Sequence, residues 1–168
     1  MKKILYTLAL LISFSSFGQL QGEFIEYYGN GEVRDITNFV DGIQQGEYVE
    51  YYESGGVKMK RNYEAGKGLH GQEINYYESG EVKYKLNYVD GLQQGESINY
   101  YESGEVLGKV NYLDGKLQGK IIEYYESGGV KNKSNYVDGK VQGKFRVYYE
   151  NGQVEEKTNW VDGIQQGE

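Results

Sequence analysis

Cysteine is absent from the 168 residues, which removes disulfides, thiol catalysis, cysteine-based zinc sites and lipid attachment through an N-terminal cysteine. Proline is absent too, and histidine occurs once, as His70. A single imidazole supplies neither a multi-histidine metal site nor a histidine pair for acid–base work. Apolar residues are scarce, at 38% of the chain with a mean hydropathy of −0.72, too few for a thick core of stacked layers. Positive charge is short as well. Eighteen Lys and Arg stand against 25 Asp and Glu, a formal charge of −7. A chain of this sign repels phosphate backbones and anionic lipid surfaces. Nucleic acid is excluded as the expected partner, a lipid membrane is disfavoured, and no cofactor is expected.

Glycine and tyrosine are abundant instead: 25 Gly and 19 Tyr, with aromatics at 15%. That is too aromatic for a disordered chain. Burial must rest largely on tyrosine, whose ring is apolar while its hydroxyl stays wet.

Lys2 and Lys3 precede an apolar run from Ile4 to Phe17, and Ser16-Phe17-Gly18 places small residues ahead of a cleavage point between Gly18 and Gln19. This is the layout of a secretory signal peptide. The apolar run is about 14 residues long, short of the roughly 20 that span a bilayer. Residues 1–18 are therefore expected to be a signal peptide, and 19–168 a mature chain that is secreted or held in the periplasm or cell envelope. Loss of Lys2 and Lys3 would take the formal charge from −7 to −9.

The rest is one unit written six times, over 22–45, 46–70, 71–94, 95–118, 119–142 and 143–166, with a seventh opening at Gly167. The period is 24 residues, except for 25 in the second unit, around Lys67-Gly68-Leu69-His70. Internal periodicity of this kind decides the architecture before any residue-level reading. Each unit carries two turn signals, Glu-Ser-Gly as in Glu102-Ser103-Gly104 and Asp-Gly as in Asp114-Gly115. Glycine closes each turn, as a positive φ requires. Between the turns lie Tyr-, Val- and Ile-bearing stretches of strand length. The fold class is all-β: an elongated single antiparallel meander of about six tandem hairpins, or about 12 strands.

Side-chain parity constrains the turns. A three-residue loop combined with a two-residue loop would turn the faces over at every unit. Two three-residue loops, Glu-Ser-Gly and Val-Asp-Gly, would keep them constant, and a compensating bulge would serve equally. That register predicts one aromatic–aliphatic face holding Ile25, Val49, Ile74, Ile98 and Ile122 with the Val after each turn. The first tyrosine of each pair (Tyr27, Tyr51, Tyr76, Tyr100, Tyr124, Tyr148) and the late aromatic (Phe39, Tyr63, Tyr88, Tyr112, Tyr136, Trp160) belong to the same face. It predicts an opposite polar face with Lys60, Lys85, Lys109, Lys133, Lys157, the Asn row from Asn38 to Asn159, and the second tyrosines such as Tyr52 and Tyr101.

Tyr76-Tyr77-Glu78-Ser79-Gly80-Glu81-Val82-Lys83, with a later segment such as Asn135-Tyr136-Val137-Asp138-Gly139-Lys140-Val141-Gln142-Gly143-Lys144, resembles the bacterial MORN-repeat variant family. The resemblance runs from Gly22 to Glu168. It implies a twisted ribbon of stacked hairpins acting as a binding or scaffolding module without catalysis. Some bacterial relatives are antitoxin or immunity components of toxin–antitoxin systems.

The residues themselves offer little to catalysis. Glu53, Glu78, Glu102, Glu126 and Glu150 recur as equivalents, whereas a catalytic carboxylate pair needs two unlike environments. No phosphate-binding loop or nucleophile elbow occurs. His70 replaces the Gln of the other units and reads as an exposed loop variant. The turn residues Asp41, Asp90, Asp114, Asp138 and Asp162 read as turn chemistry, since calcium needs six to eight oxygens from one dense site. The chain is not expected to be an enzyme or to hold a metal.

The aromatic row is the candidate binding surface: Tyr27, Tyr51, Tyr76, Tyr100, Tyr124 and Tyr148 with Tyr63, Tyr88, Tyr112, Tyr136 and Trp160. The competing reading makes these rings the core, stacked hairpin on hairpin. A single-layer sheet, however, leaves an apolar face uncovered, and a large exposed patch marks a partner site. The leading expectation is an exported scaffold that binds another protein along this face. The alternatives are an antitoxin or immunity component, and a glycan- or choline-binding envelope module. A free last edge, with no capping unit to blunt it, offers self-association as a second kind of partner.

Overall fold

The computed structural model describes residues 19–167, so the expected signal peptide over 1–18 lies outside the described residues. The described chain is all-β: one open antiparallel sheet of 18 strands. Each unit contributes three. The first strands are Gly22–Tyr27, Gly46–Tyr51, Gly71–Tyr76, Gly95–Tyr100, Gly119–Tyr124 and Gly143–Tyr148. The long strands are Val33–Val40, Val57–Glu64, Val82–Val89, Val106–Leu113, Val130–Val137 and Val154–Val161. Short strands follow the second turn of each unit, which is Asp-Gly in five units and Ala65-Gly66-Lys67 in the second, at Ile43–Gln44, Gly68–Leu69, Leu92–Gln93, Lys116–Leu117, Lys140–Val141 and Ile164–Gln166.

The Glu-Ser-Gly loops behave as expected. Gly104 N–H donates to the Tyr101 carbonyl at 3.0 Å, Tyr101 N–H closes the loop on the Glu105 carbonyl at 2.8 Å, and Gly104 sits at φ 88°. The Asp-Gly turns differ from expectation. They hold two residues, not three, because Val40 pairs with Ile43 and Leu113 with Lys116. Asp114 at φ 50° and Gly115 at φ 77° give both central residues the left-handed conformation whose twist suits a two-residue hairpin. In the second unit the additional residue lengthens this turn, so that Glu64 pairs with Gly68.

A bulge restores the parity. In every unit the register slips by one just before the loop: Glu26 opposes Asp35, but Tyr27 opposes Val33. Arg34 and its equivalents are the unpaired residues. This slip also overturns the expected sorting of the faces. Beyond it the alternation is inverted, so the Val after the turn and the late aromatic of one strand lie on opposite sides. Cross-strand partners share a side. Lys60 opposes both Val49 and Ile74, so the lysine row lies with the Ile/Val row, and Asn38, opposite Glu23, lies there too. The late aromatics Phe39, Tyr63 and Tyr88 oppose Gly22, Gly46 and Gly71 on the other side.

Within a hairpin, six residues of the first strand pair with the long strand, whereas successive hairpins pair through only two, such as Lys109 with Ile122 and Gly108 with Glu123. Side chains hold both margins of this short seam. The second tyrosine of a unit does not point to a polar face as expected. Its hydroxyl donates to the backbone carbonyl of the next unit's first tyrosine: Tyr28 to Tyr51, Tyr52 to Tyr76, Tyr77 to Tyr100, Tyr101 to Tyr124 and Tyr125 to Tyr148, all between 2.6 and 2.8 Å. At the opposite margin, Asp114 N–H donates to Gln94 Oε1 at 2.8 Å and Gly115 N–H to the Gln93 carbonyl at 2.9 Å. Gln21, Gln118 and Gln142 accept in the same way. His70 is half-buried, not merely an exposed variant, and its Nδ1 takes the glutamine's place as acceptor for Asp90 N–H at 3.4 Å. The last long strand pairs outward only at Asn159–Val161. Its uncovered part carries Glu155, Glu156 and Lys157, charges of the kind that blunt a sheet edge.

Candidate binding faces

The expected single aromatic row is two rows on opposite sides of the sheet. Tyr27, Tyr51, Tyr76, Tyr100, Tyr124 and Tyr148 lie on a regular face, where the Tyr, Val and Asn rows repeat without change and the Ile/Val and Lys rows break sharply in one unit each, at Arg146 and Ile36. Their neighbours there are Ile25, Val49, Ile74, Ile98 and Ile122, the Lys row and the Asn row. Two lysines approach these rings: Lys85 Nζ stands 5.8 Å from the Tyr100 ring centre and Lys133 Nζ 5.8 Å from that of Tyr148. These are cation–π contacts at the outer limit of that geometry. The asparagines reach across the seams, as where Asn87 Nδ2 donates to the Glu96 carbonyl at 2.9 Å.

Tyr63, Tyr88, Tyr112, Tyr136 and Trp160 lie with Phe39 on the second side, a mosaic face. There the aromatic row is constant but its surroundings change. One position reads Phe24, Tyr48, Glu73, Ser97, Ile121 and Phe145 through the six units, and another reads Asp35, Met59, Tyr84, Gly108, Asn132 and Glu156. Most of the buried side chains belong to this face: Asp35, Glu73, Ser97, Ile121 and Ser134, each at most 8% exposed. Phe24 and Phe39 meet edge to face at 5.3 Å.

The middle of the mosaic face holds a charged cluster that repeat averaging hides. The Arg61 guanidinium lies 4.6 Å from the Tyr48 ring centre and 5.2 Å from that of Tyr63. Its Nη1 is 4.0 Å from Glu73 Oε2, while its Nε is buried with no hydrogen-bond partner among the described residues. Glu73 Oε1 accepts from Asn75 Nδ2 at 3.0 Å. Burial raises the Glu73 carboxyl above the ordinary glutamate range, with Arg61 and the Asn75 hydrogen bond pulling the other way. Burial also raises the Tyr48, Tyr84 and Tyr88 phenols, helped by Asp35 at Tyr48 and by Glu73 at the other two. The sequence signal for this cluster was available: Glu73 and Arg61 each depart from what the other units place there. At the bulges of the first two units, Arg34 pairs with Glu26 and Asp35, and Lys58 Nζ lies 2.6 Å from Glu50 Oε1. No group of three His, Asp or Glu side chains placed to hold a metal occurs among the described residues.

No curated protein matches the chain. Among solved structures, the GtfA/B complex bound to UDP and GlcNAc is 11% identical over 95% of this chain and 28% of that one, with a TM-score of 0.23. The chain thus spans less than a third of that structure's length, and a likeness so slight carries no argument. The family comparison is decisive. A repeat model described as "MORN repeat variant" matches residues 13–41, 44–65, 69–90, 93–114, 115–138 and 141–162. Its segments end at or close to the turn that follows each long strand, one match per hairpin unit. With six matches in register over most of its length, the chain belongs to the MORN repeat variant family.

Proposed function

We propose that the array is an exported, non-enzymatic scaffold that docks an elongated protein partner along its mosaic face. Repeats of this family are protein- or membrane-binding modules, not catalytic ones. The observation that carries the reading is the contrast between the two faces. Positions that only hold the fold can be the same in every unit, as the Tyr, Val and Asn rows of the regular face are. The mosaic face keeps one aromatic row, Phe39, Tyr63, Tyr88, Tyr112, Tyr136 and Trp160, and varies what lies beside it. A partner crossing several units would then meet a distinct surface at each step, anchored by rings that bring large contact area with few rotors. Weak contacts at successive units add through effective concentration. Export is supported by the charged and apolar pattern of residues 2–18.

The test is photocrosslinking from both faces of the full chain in its native host. Probes at Tyr88 and Tyr112 should trap the partner, and probes at Tyr76 and Tyr100 should not. Deleting whole units one at a time should weaken capture in graded steps. Crosslinks from the regular face alone, or complete loss from a single point substitution, would overturn the proposal.

A further inference from the structure

All ion pairs among the described residues lie between residues 26 and 90. On the regular face, Lys60 and Lys85 are in none of these pairs either; what sets its C-terminal half apart is the number of cations, since earlier units place Glu23, Glu47, Gln72 and Glu96 where Lys120 and Lys144 stand. Lys109, Lys120, Lys133, Lys144, Arg146 and Lys157 share that side, and among the described residues none has a carboxylate within 4.0 Å. The short strands Lys116–Leu117 and Lys140–Val141 each begin with a further lysine. A basic strip on an acidic chain is therefore concentrated in three units.

Its centre opposes its own stability. Lys133 is the cross-strand partner of Arg146, and Arg146 is the partner of Lys157. Three cations thus sit directly opposite one another on adjacent strands, about 5 Å apart by ordinary sheet geometry, an arrangement that destabilises a sheet. The other units place Ile or Val where Arg146 stands: Ile25, Val49, Ile74, Ile98 and Ile122. The seam beside this row opens into a cleft of about 520 Å³, lined by Lys120, Lys133, Lys144 and Arg146 with Asn135 and Gln142. A second cleft of about 640 Å³ continues to Lys157, with Glu156 on its wall.

We infer that this strip binds an anionic polysaccharide, a linear chain of sugars bearing carboxylates. The inference concerns the face opposite to the one assigned to the protein partner and does not rest on that assignment. Charge calls for an anion, and the margins of the strip restrict its shape. Glu126 and Glu150 lie in the loops along one side and Asp114, Asp138 and Asp162 in the turns along the other. A membrane plane or a nucleic-acid duplex would press its own negative charge onto those margins, whereas a single narrow chain laid along the stack avoids them. The repeat supplies the ligand's period. One hairpin advances about 10 Å, two strand spacings, which is about the reach of two linked sugar rings. Each step offers a lysine for a carboxylate, an asparagine amide for hydroxyls, and a half-exposed tyrosine (Tyr124, Tyr148) as a flat apolar surface for a ring.

The test is calorimetry of the full chain with oligogalacturonates of increasing length at low salt, with polyglutamate, oligo-dT and anionic phospholipid vesicles as competing probes. Oligogalacturonate should bind, tighten as each pair of sugars is added, and weaken as salt is raised. Arg146→Ile restores the residue type of the other units, so it should raise the melting temperature while weakening binding by about tenfold or more. Lys60→Gln, outside the strip, should leave binding unchanged. Absence of oligogalacturonate binding overturns the inference, as does undiminished binding by Arg146→Ile. Tighter binding of polyglutamate, oligo-dT or vesicles than of oligogalacturonate overturns it too.

Discussion

If the seams between hairpins are held by tyrosine hydroxyls, replacing one with phenylalanine should loosen a single seam without disturbing a ring. Tyr101→Phe removes the 2.8 Å bond to the Tyr124 carbonyl and leaves the packing surface of the side chain in place. A net intramolecular hydrogen bond is worth about 0.5–1.5 kcal/mol, so the expected loss is about 1 kcal/mol. The five equivalent bonds lie in five different seams, far enough apart to add, and removing all five should cost about 5 kcal/mol. That is comparable with the whole stability of many domains. In a stacked array the effect falls on the coupling between neighbours, so urea unfolding should also become broader as substitutions accumulate. Tyr149 provides the internal control: it is 49% exposed and donates to no carbonyl among the described residues. Tyr149→Phe should change stability by no more than a few tenths of a kcal/mol. Equal effects of Tyr101→Phe and Tyr149→Phe in matched urea titrations would refute the role given to these hydroxyls.

Three further outcomes follow from the geometry. Because the folded Glu73 carboxyl holds its proton more tightly than the unfolded one, stability falls as pH rises from the ordinary glutamate range through its raised pKa. Glu73→Gln removes that fall, so its advantage over the natural chain should grow with pH across this window and stay flat below it; a shrinking advantage in pH-dependent denaturation would contradict the burial argument. His70→Gln replaces a 3.4 Å contact with the 2.8–3.0 Å glutamine bond of the other seams and should gain about 0.5 kcal/mol, read as a higher denaturation midpoint; a lower midpoint would show that His70 has a different role. Gly115→Ala forces a Cβ onto a residue at φ 77° but meets Leu92 only at an ordinary 3.6 Å, so backbone strain alone should cost about 1–2 kcal/mol; an unchanged midpoint would show that the turn can relax.

The architecture was legible because it is periodic. Gly104 and Gly115 recur with their turns, and the strands between them are set by spacing alone. The sorting of the faces was not legible, because it depends on a single unpaired residue per unit. Lys58 and Lys83 look like ordinary members of an alternating strand, and only the pairing of Tyr51 with Val57 and Glu50 with Met59 reveals the slip. One slip moved Tyr63 and Tyr88 away from Tyr51 and Tyr76 and brought Lys60 and Lys85 to them. The tyrosine hydroxyl bonds were hidden for a different reason. Tyr52 and Tyr76 are 24 residues apart, a separation at which sequence shows recurrence but not contact. Departures from the consensus were visible throughout, at Arg61, Glu73 and Arg146, but their meaning needed the cross-strand neighbours that only the fold supplies.

Each seam uses a donor from one unit and an acceptor from the next, and every complete unit carries both. A duplicated copy inserted anywhere in the ribbon therefore arrives already able to grip what lies before and after it. Length can grow or shrink in whole hairpins without redesigning any joint, each adding about 10 Å. The tyrosine pairs thus make the molecule a ruler whose graduations are set by gene duplication.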